Sequence, residues 1–164
     1  MTTRFDPNFT TFMEGEFLGG VTVSEPGGVL GPGNLVIDPT KPFEITATWH
    51  VFGHLVPIWL AALKSASPSW VVSAYAESVG PGPEKMVATT NVPIGVVTGS
   101  HDVTFSATLT VPAGTLAEEN PGNPNVSGLY KIVLTTFLNS PFGLPGYDVM
   151  GYAEGPIIKV ENPV

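Results

Sequence analysis

DVTFSATLTV (residues 102–111) is the stretch that decides how this chain is read. Val103, Phe105, Ala107, Leu109 and Val111 fall on one side of an extended backbone, and Asp102, Thr104, Ser106, Thr108 and Thr110 on the other. Successive side chains of a strand point to opposite faces, so this alternation marks a half-buried strand. Its outer side is nearly all Thr and Ser, which suit a pleated and partly wetted surface.

The same period recurs to either side. In FEITATWHV (43–51), Phe43, Ile45, Ala47, Trp49 and Val51 oppose Glu44, Thr46, Thr48 and His50. WVVSAYAES (70–78) and GLYKIVLTTFLN (128–139) are further strands, and the second is apolar on both faces between Tyr130 and Leu138. That pattern belongs to a central strand, or to one whose outer face is covered by another element or chain. Shorter candidates are VTVSE (21–25), LVI (35–37), KMVATTN (85–91), DVMGYAE (148–154) and IIKVE (157–161). The chain holds 19 Gly and 17 Pro, and these break it at short intervals that favour many strands over long helices. Pro156 falls between two of the candidates and is read as part of a connection, since a strand interior needs its N–H groups. The fold class expected is all-β: a two-sheet antiparallel sandwich.

One segment departs from the pattern. HLVPIWLAALKSASPS (54–69) has good helix formers after Pro57, which is tolerated at a first helical position, and predicts one short helix near 58–64. Ile58, Trp59, Leu60, Ala61, Ala62 and Leu63 make it apolar on every side, so it is expected to be buried all round. It serves either as a lid over one end of the sandwich or as a plug in a neighbouring copy; as a membrane-touching segment it is too short to span. Residues 1–19 form an N-terminal arm carrying Phe5, Phe9, Phe12 and Phe17, packed on its own domain or on a neighbour. Residues 20–164 form a single domain.

Composition adds a second theme. Asp, Glu, Lys and Arg make up 12% of the 164 residues, although mean hydropathy is +0.25. Ordinary soluble domains carry about 25% charged residues. The exterior must therefore be built from Thr, Ser, Gly, Pro and exposed apolar side chains, and large apolar patches mark places where something binds. The 14 acidic residues outnumber the 6 basic ones, for a net charge of −8. Arg4, Lys41, Lys64, Lys85, Lys131 and Lys159 stand singly, so no cluster exists to neutralise a run of phosphates or an anionic membrane. Nucleic acid is not an expected partner, and no apolar run is long enough for a membrane span. With no Cys, disulfide and thiolate chemistry are absent. The acidic opening MTTRFDPNFTTFMEGEF lacks the basic start and apolar centre of a signal peptide, so a cytoplasmic location is expected.

Signatures of catalysis are missing. His50 and His54 have the H-x-x-x-H spacing that joins two ligands on a helix, but on a strand their rings stand about 13 Å apart, too far for one metal. His101 beside Asp102 reads as turn chemistry at a strand start. No G-x-S-x-G elbow or phosphate-binding glycine loop occurs, and the carboxylates are scattered. Neither enzymatic activity nor a cofactor or metal is expected.

Aromatic residues are better binding candidates. Trp59, Trp70, Tyr75, Tyr147 and Tyr152 offer large area with a polar tip, suited to stacking on sugars or anchoring a protein. SPFGLPGY (140–147) carries Phe142, Leu144 and Tyr147 on a rigid Pro/Gly frame that loses little entropy on docking.

The order of the strands resembles an immunoglobulin-like sandwich. FEITATWHV stands where the second strand lies and WVVSAYAES where the third does, with Trp70 near the usual core tryptophan. DVTFSATLTVPAG and GLYKIVL look like the fifth strand with its turn and the sixth, and IIKVE like the last. Tyr130, two residues before Ile132, is similar to a tyrosine corner, with Ile132 where a cysteine often stands. The chain departs from that pattern in having no cysteine pair, a long connection at 52–69 and an extra strand-like stretch at 147–154, so a jelly roll or other two-sheet topology stays open.

These readings converge on a non-enzymatic structural protein that assembles with itself into an oligomer, shell or filament. Its expected interface residues are Phe5, Phe9, Phe12, Ile58, Trp59, Leu60, Leu63, Phe142, Leu144 and Tyr147. The alternative is a carbohydrate- or protein-binding module that uses exposed aromatics.

Overall fold

A computed structural model describes residues 12–26, 35–64, 68–95, 99–120, 122–143 and 148–162. Eight strands and one helix follow in the order β1 (Glu14–Ser24), β2 (Val36–Ile37), β3 (Phe43–Phe52), α1 (Val56–Lys64), β4 (Ser69–Ser78), β5 (Lys85–Pro93), β6 (Asp102–Val111), β7 (Leu129–Leu138) and β8 (Val149–Val160). They form a three-stranded sheet, β1-β3-β6, and a five-stranded sheet, β2-β8-β7-β4-β5. All pairings are antiparallel except that of β2 with β8. The sheets also approach each other at their edges, β1 beside β8 and β5 beside β6. The all-β sandwich with one short helix is therefore the fold.

Period two is realised as expected in the strands that face the core. Phe43, Ile45, Ala47, Trp49 and Val51 of β3 are buried, as are Phe105, Ala107, Leu109 and Val111 of β6. From the other sheet come Trp70, Val72, Ala74 and Ala76 of β4 and Tyr130, Ile132, Leu134 and Leu138 of β7. Aromatic rings join the layers. Trp49 meets Trp70 edge-on at 5.8 Å and stacks on Phe105 at 5.9 Å, while Trp59 of the helix lies 6.5 Å from Trp70. Edge-on and offset arrangements of this kind are favoured by the ring quadrupoles.

Three local expectations need correction. The helix is not buried all round: Val56, Trp59, Leu60 and Leu63 face the core, whereas Ile58 is 67% exposed and Ala61 and Ala62 are also exposed. The buried residues follow the three-to-four spacing of one helix stripe, so α1 is a lid on its own domain. Nor do residues 148–154 and 157–161 form separate strands. They merge into β8, with Pro156 inside it where the pairing with β7 shifts register between Lys131 and Val133. A bulge absorbs the residue that cannot donate an N–H. Finally, the first strand starts at Glu14 and not at Val21, so residues 14–19 pair with β3. Gly19 and Gly20, at φ of 73° and 77°, form the bulge between Leu18 and Val21 that joins the two halves. Side chains rarely adopt that conformation, whereas glycine does so freely.

A second glycine fixes the approach to β7. Gly128 has φ of 69°, and a Cβ there would lie 2.6 Å from the Glu119 backbone nitrogen. The loop 115–119 thus lies against the start of β7, and Tyr130 Oη, buried within the core, donates to the Ala117 carbonyl at 2.9 Å. No helix among the described residues is long and apolar enough to cross a membrane.

Candidate functional site

Register determines what each sheet presents outward. On the five-stranded sheet, Val71 lies opposite Asn91 and Phe137, and Phe137 opposite Met150. The next row runs Thr89–Ser73–Thr135–Tyr152, and the next joins Met86, Tyr75, Val133 and Glu154. Beyond them Glu77, Lys131 and Ile157 share a row. Val71, Tyr75, Met86, Phe137, Met150, Tyr152 and Ile157 are all exposed, between 36% and 66%. These residues form one apolar face, and no described element covers it. Val133 at its centre is buried.

Charge on this face is compensated. Lys131 Nζ lies 2.7 Å from Glu154 Oε1, which also accepts from Tyr152 Oη at 2.9 Å. The Lys131 hydrogen bond holds the Glu154 carboxyl below its ordinary range, and the same bond raises the Lys131 ammonium. Across the strands of this sheet, Lys85, Lys131 and Lys159 stand against Glu77 and Glu154, a balance of +1.

The three-stranded sheet is different. Its outward rows read Leu18–Thr48–Ser106, Thr22–Thr46–Thr108 and Ser24–Glu44–Thr110. Its strands carry Glu14, Glu16, Glu44 and Asp102 and no Lys or Arg, a balance of −4. His50 sits among those acids. Its Nδ1 is 2.9 Å from Asp102 Oδ1, and its Nε2 is 3.5 Å from Glu16 Oε2, too long for a good hydrogen bond. The Asp102 hydrogen bond, with help from Glu16, raises the imidazole above its usual value against a smaller opposing desolvation.

The expected interface residues divide into three groups. Trp59, Leu60 and Leu63 are buried in the core of their own chain. Ile58, Phe12 and Phe142 are exposed, at 67%, 57% and 43%, and the Phe12 carbonyl accepts the Leu55 N–H at 2.8 Å. Phe5, Phe9, Leu144 and Tyr147 lie outside the described residues. Of the aromatic candidates, Trp59 and Trp70 are buried, so neither offers a ring for stacking, whereas Tyr75 and Tyr152 are exposed on the same apolar face. Val71, Met86, Phe137, Met150 and Ile157 were missed as surface residues. The one signal for them was the apolarity of β7 on both sides.

The histidines are not arranged as a metal pair from one strand. His50 belongs to β3, whereas the His54 ring meets His101 edge-on at 5.9 Å. Turn chemistry was expected of His101 beside Asp102; Asp102 instead bonds His50, and it is Ser100 Oγ that donates to the Asp102 carbonyl at 2.6 Å. No group of three or more metal-ligating side chains occurs among the described residues. No family model matches this chain, and a search of curated proteins finds no relative.

Proposed function

We propose that this chain is a non-enzymatic structural protomer of the immunoglobulin-like kind that associates with a second copy through the outer face of its five-stranded sheet. The apolar face of Val71, Tyr75, Met86, Phe137, Met150, Tyr152 and Ile157 carries this reading. Exposed apolar area is costly in water, and burying it against its own copy recovers about 25 cal/mol per Å². Size and charge favour the same occupant. Four long strands spaced about 4.8 Å apart and about 33 Å long offer a projected face of about 600 Å², near the roughly 800 Å² per partner of a standard interface. Two molecules of net charge −8 repel, and they do so least when they meet through sheets whose strands balance to +1. A face meeting its own copy closes on a two-fold axis and yields a dimer; exposed Ile58 and Phe142 supply further contacts for a larger oligomer, shell or filament.

The immunoglobulin-like type is supported by the partition of strands. The expected second and fifth strands, β3 and β6, are neighbours in one sheet. The expected third, sixth and last, β4, β7 and β8, are neighbours in the other. The bond from Tyr130 Oη to the Ala117 carbonyl supports the tyrosine corner. A second reading, stacking of a carbohydrate on Tyr75 and Tyr152, draws on the exposure of those two rings.

Light scattering coupled to size exclusion tests the main reading. The expected result is a species of at least twice the 17.2 kDa chain mass, reduced to the monomer by Phe137→Lys. A strict monomer at concentrations of about 50 µM, well above the dissociation constants of stable dimers, overturns it. A monomer retarded on immobilised polysaccharide, and released from it by Tyr152→Ala, favours the second reading instead.

A further inference from the structure

We propose that Met86 and Met150 are sites of oxidation by a peroxide, and that their conversion to the sulfoxide undoes self-association through the five-stranded sheet. Such regulation presupposes the association proposed above. Of the four methionines, Met1 lies outside the described residues, and Met13 is half-buried and packs against the core. Met86 and Met150 are instead 53% and 66% exposed on the apolar face, and Met150 is the most exposed of its seven apolar residues. Much of the area that a second copy would cover is therefore thioether.

Register sets the two at opposite corners of the face. Met150 of β8 is aligned with Phe137 of β7, and Met86 of β5 with Tyr75 of β4, so each stands opposite an exposed aromatic residue. Three strand spacings of about 4.8 Å and four residues of about 3.3 Å separate the two corners, about 20 Å on the diagonal. A copy that covers the whole face meets both sulfurs. Nothing else in the chain competes strongly for an oxidant, because there is no Cys, whose thiolate is the usual first target.

The step needs no catalytic group. A lone pair of the thioether sulfur attacks one oxygen of hydrogen peroxide, the O–O bond breaks, and an S–O bond forms. The second oxygen leaves as water, carrying the proton of the first, so sulfur gives up two electrons and the peroxide takes them. An apolar, flexible side chain thereby gains a strong hydrogen-bond acceptor. Pressed against an apolar partner, that oxygen would lose its water without finding a donor, which opposes re-association. Association in turn covers both sulfurs, so the oxidant acts on the separated protomer and holds it apart.

The test treats the full chain with hydrogen peroxide, locates the added oxygen by peptide mass spectrometry and follows association by light scattering. In samples diluted to the protomer, Met86 and Met150 are expected to oxidise at least about threefold faster than Met13. That preference should shrink as protein concentration rises and the face is covered. Oxidation of both is expected to raise the dissociation constant of the assembly at least about tenfold. Methionine sulfoxide reductases for both epimers, supplied with a dithiol that returns the two electrons, should restore it. The double variant Met86→Leu with Met150→Leu should keep its own dissociation constant within about twofold across the same treatment. A dimer that survives full oxidation of both residues overturns this proposal alone, as does a Leu variant that peroxide dissociates like the native chain. A chain already monomeric before peroxide overturns the self-association reading and this proposal with it.

Discussion

The two outward faces of this sandwich are built from the same kind of strand and offer water opposite surfaces. On β1-β3-β6 the outward residues are mainly Thr and Ser with four acids, whereas on β8-β7-β4-β5 exposed Val, Tyr, Met, Phe and Ile flank a hydroxyl row of Thr89, Ser73 and Thr135 and the ion pair of Lys131 with Glu154. Both sheets contribute inner-face residues to one shared core, so the difference between their outer faces is not a requirement of that core. A hydroxyl face with uncompensated carboxylates stays hydrated and repels copies of itself, while an apolar face with balanced charge loses little by leaving water. The comparison teaches that one side of the molecule is suited to solvent, and it is the other on which the proposed association rests.

The largest expected effect separates the inner from the outer side of β7. Leu134 is fully buried, and Leu134→Ala should cost about 2–5 kcal/mol in urea unfolding. Phe137, three residues on and 39% exposed, should cost less than about 1 kcal/mol when changed to Ser under conditions where the chain is monomeric. Equal losses would mean that the outer face is held by the protomer itself.

The next test sets one sheet against the other. Phe137→Lys with Met150→Lys should weaken self-association at least about 100-fold by light scattering. Thr46→Lys with Thr108→Lys, on the opposite sheet, should leave it within about twofold. Reversal of that ranking would transfer the interface to the hydroxyl face.

What sequence reading captured and what it missed divides along the same line. Strands 43–51 and 102–111 were legible because their inner and outer residues differ in polarity at every step. The apolar outer face was not, since it arises only when β7 lies between β8 and β4, and adjacency over such distances leaves no trace in local periodicity. Residues 58–63 are apolar at every position, so nothing in them distinguished the exposed Ile58 from the buried Leu60. Gly155 and Pro156 read as a break because a proline normally stops a ladder, yet a bulge carries β8 through it. The pairing of His50 with Asp102 spans 52 residues and was equally hidden.

Smaller effects sharpen the picture. Tyr130→Phe removes the donor to the Ala117 carbonyl and should destabilise the domain by about 1–2 kcal/mol, measured by urea unfolding. The least is expected at His50, on the solvated sheet. Its imidazole is held above the usual value by Asp102, so protonated His50 contributes stability that is full below pH about 6.5 and disappears as pH rises through the elevated value. His50→Gln should therefore lower stability relative to the native chain at pH 5.5 and leave it nearly equal at pH 8.5. A stability difference that grows with pH would contradict the assigned bond.

Pro156 has a consequence for how growth of an assembly is limited. Beyond the two residues that pair with β2, no described strand lies beside the far edge of β8 in its own sheet, and among the described strands β5 forms the other rim of that sheet and ends at Pro93. An imino acid offers no N–H to an incoming backbone, and a kinked rim presents a poor template for ladder extension. Under the proposed association, molecules would stack broadside and not knit rim to rim, so aged solutions should stay free of cross-β fibrils even while the protein associates.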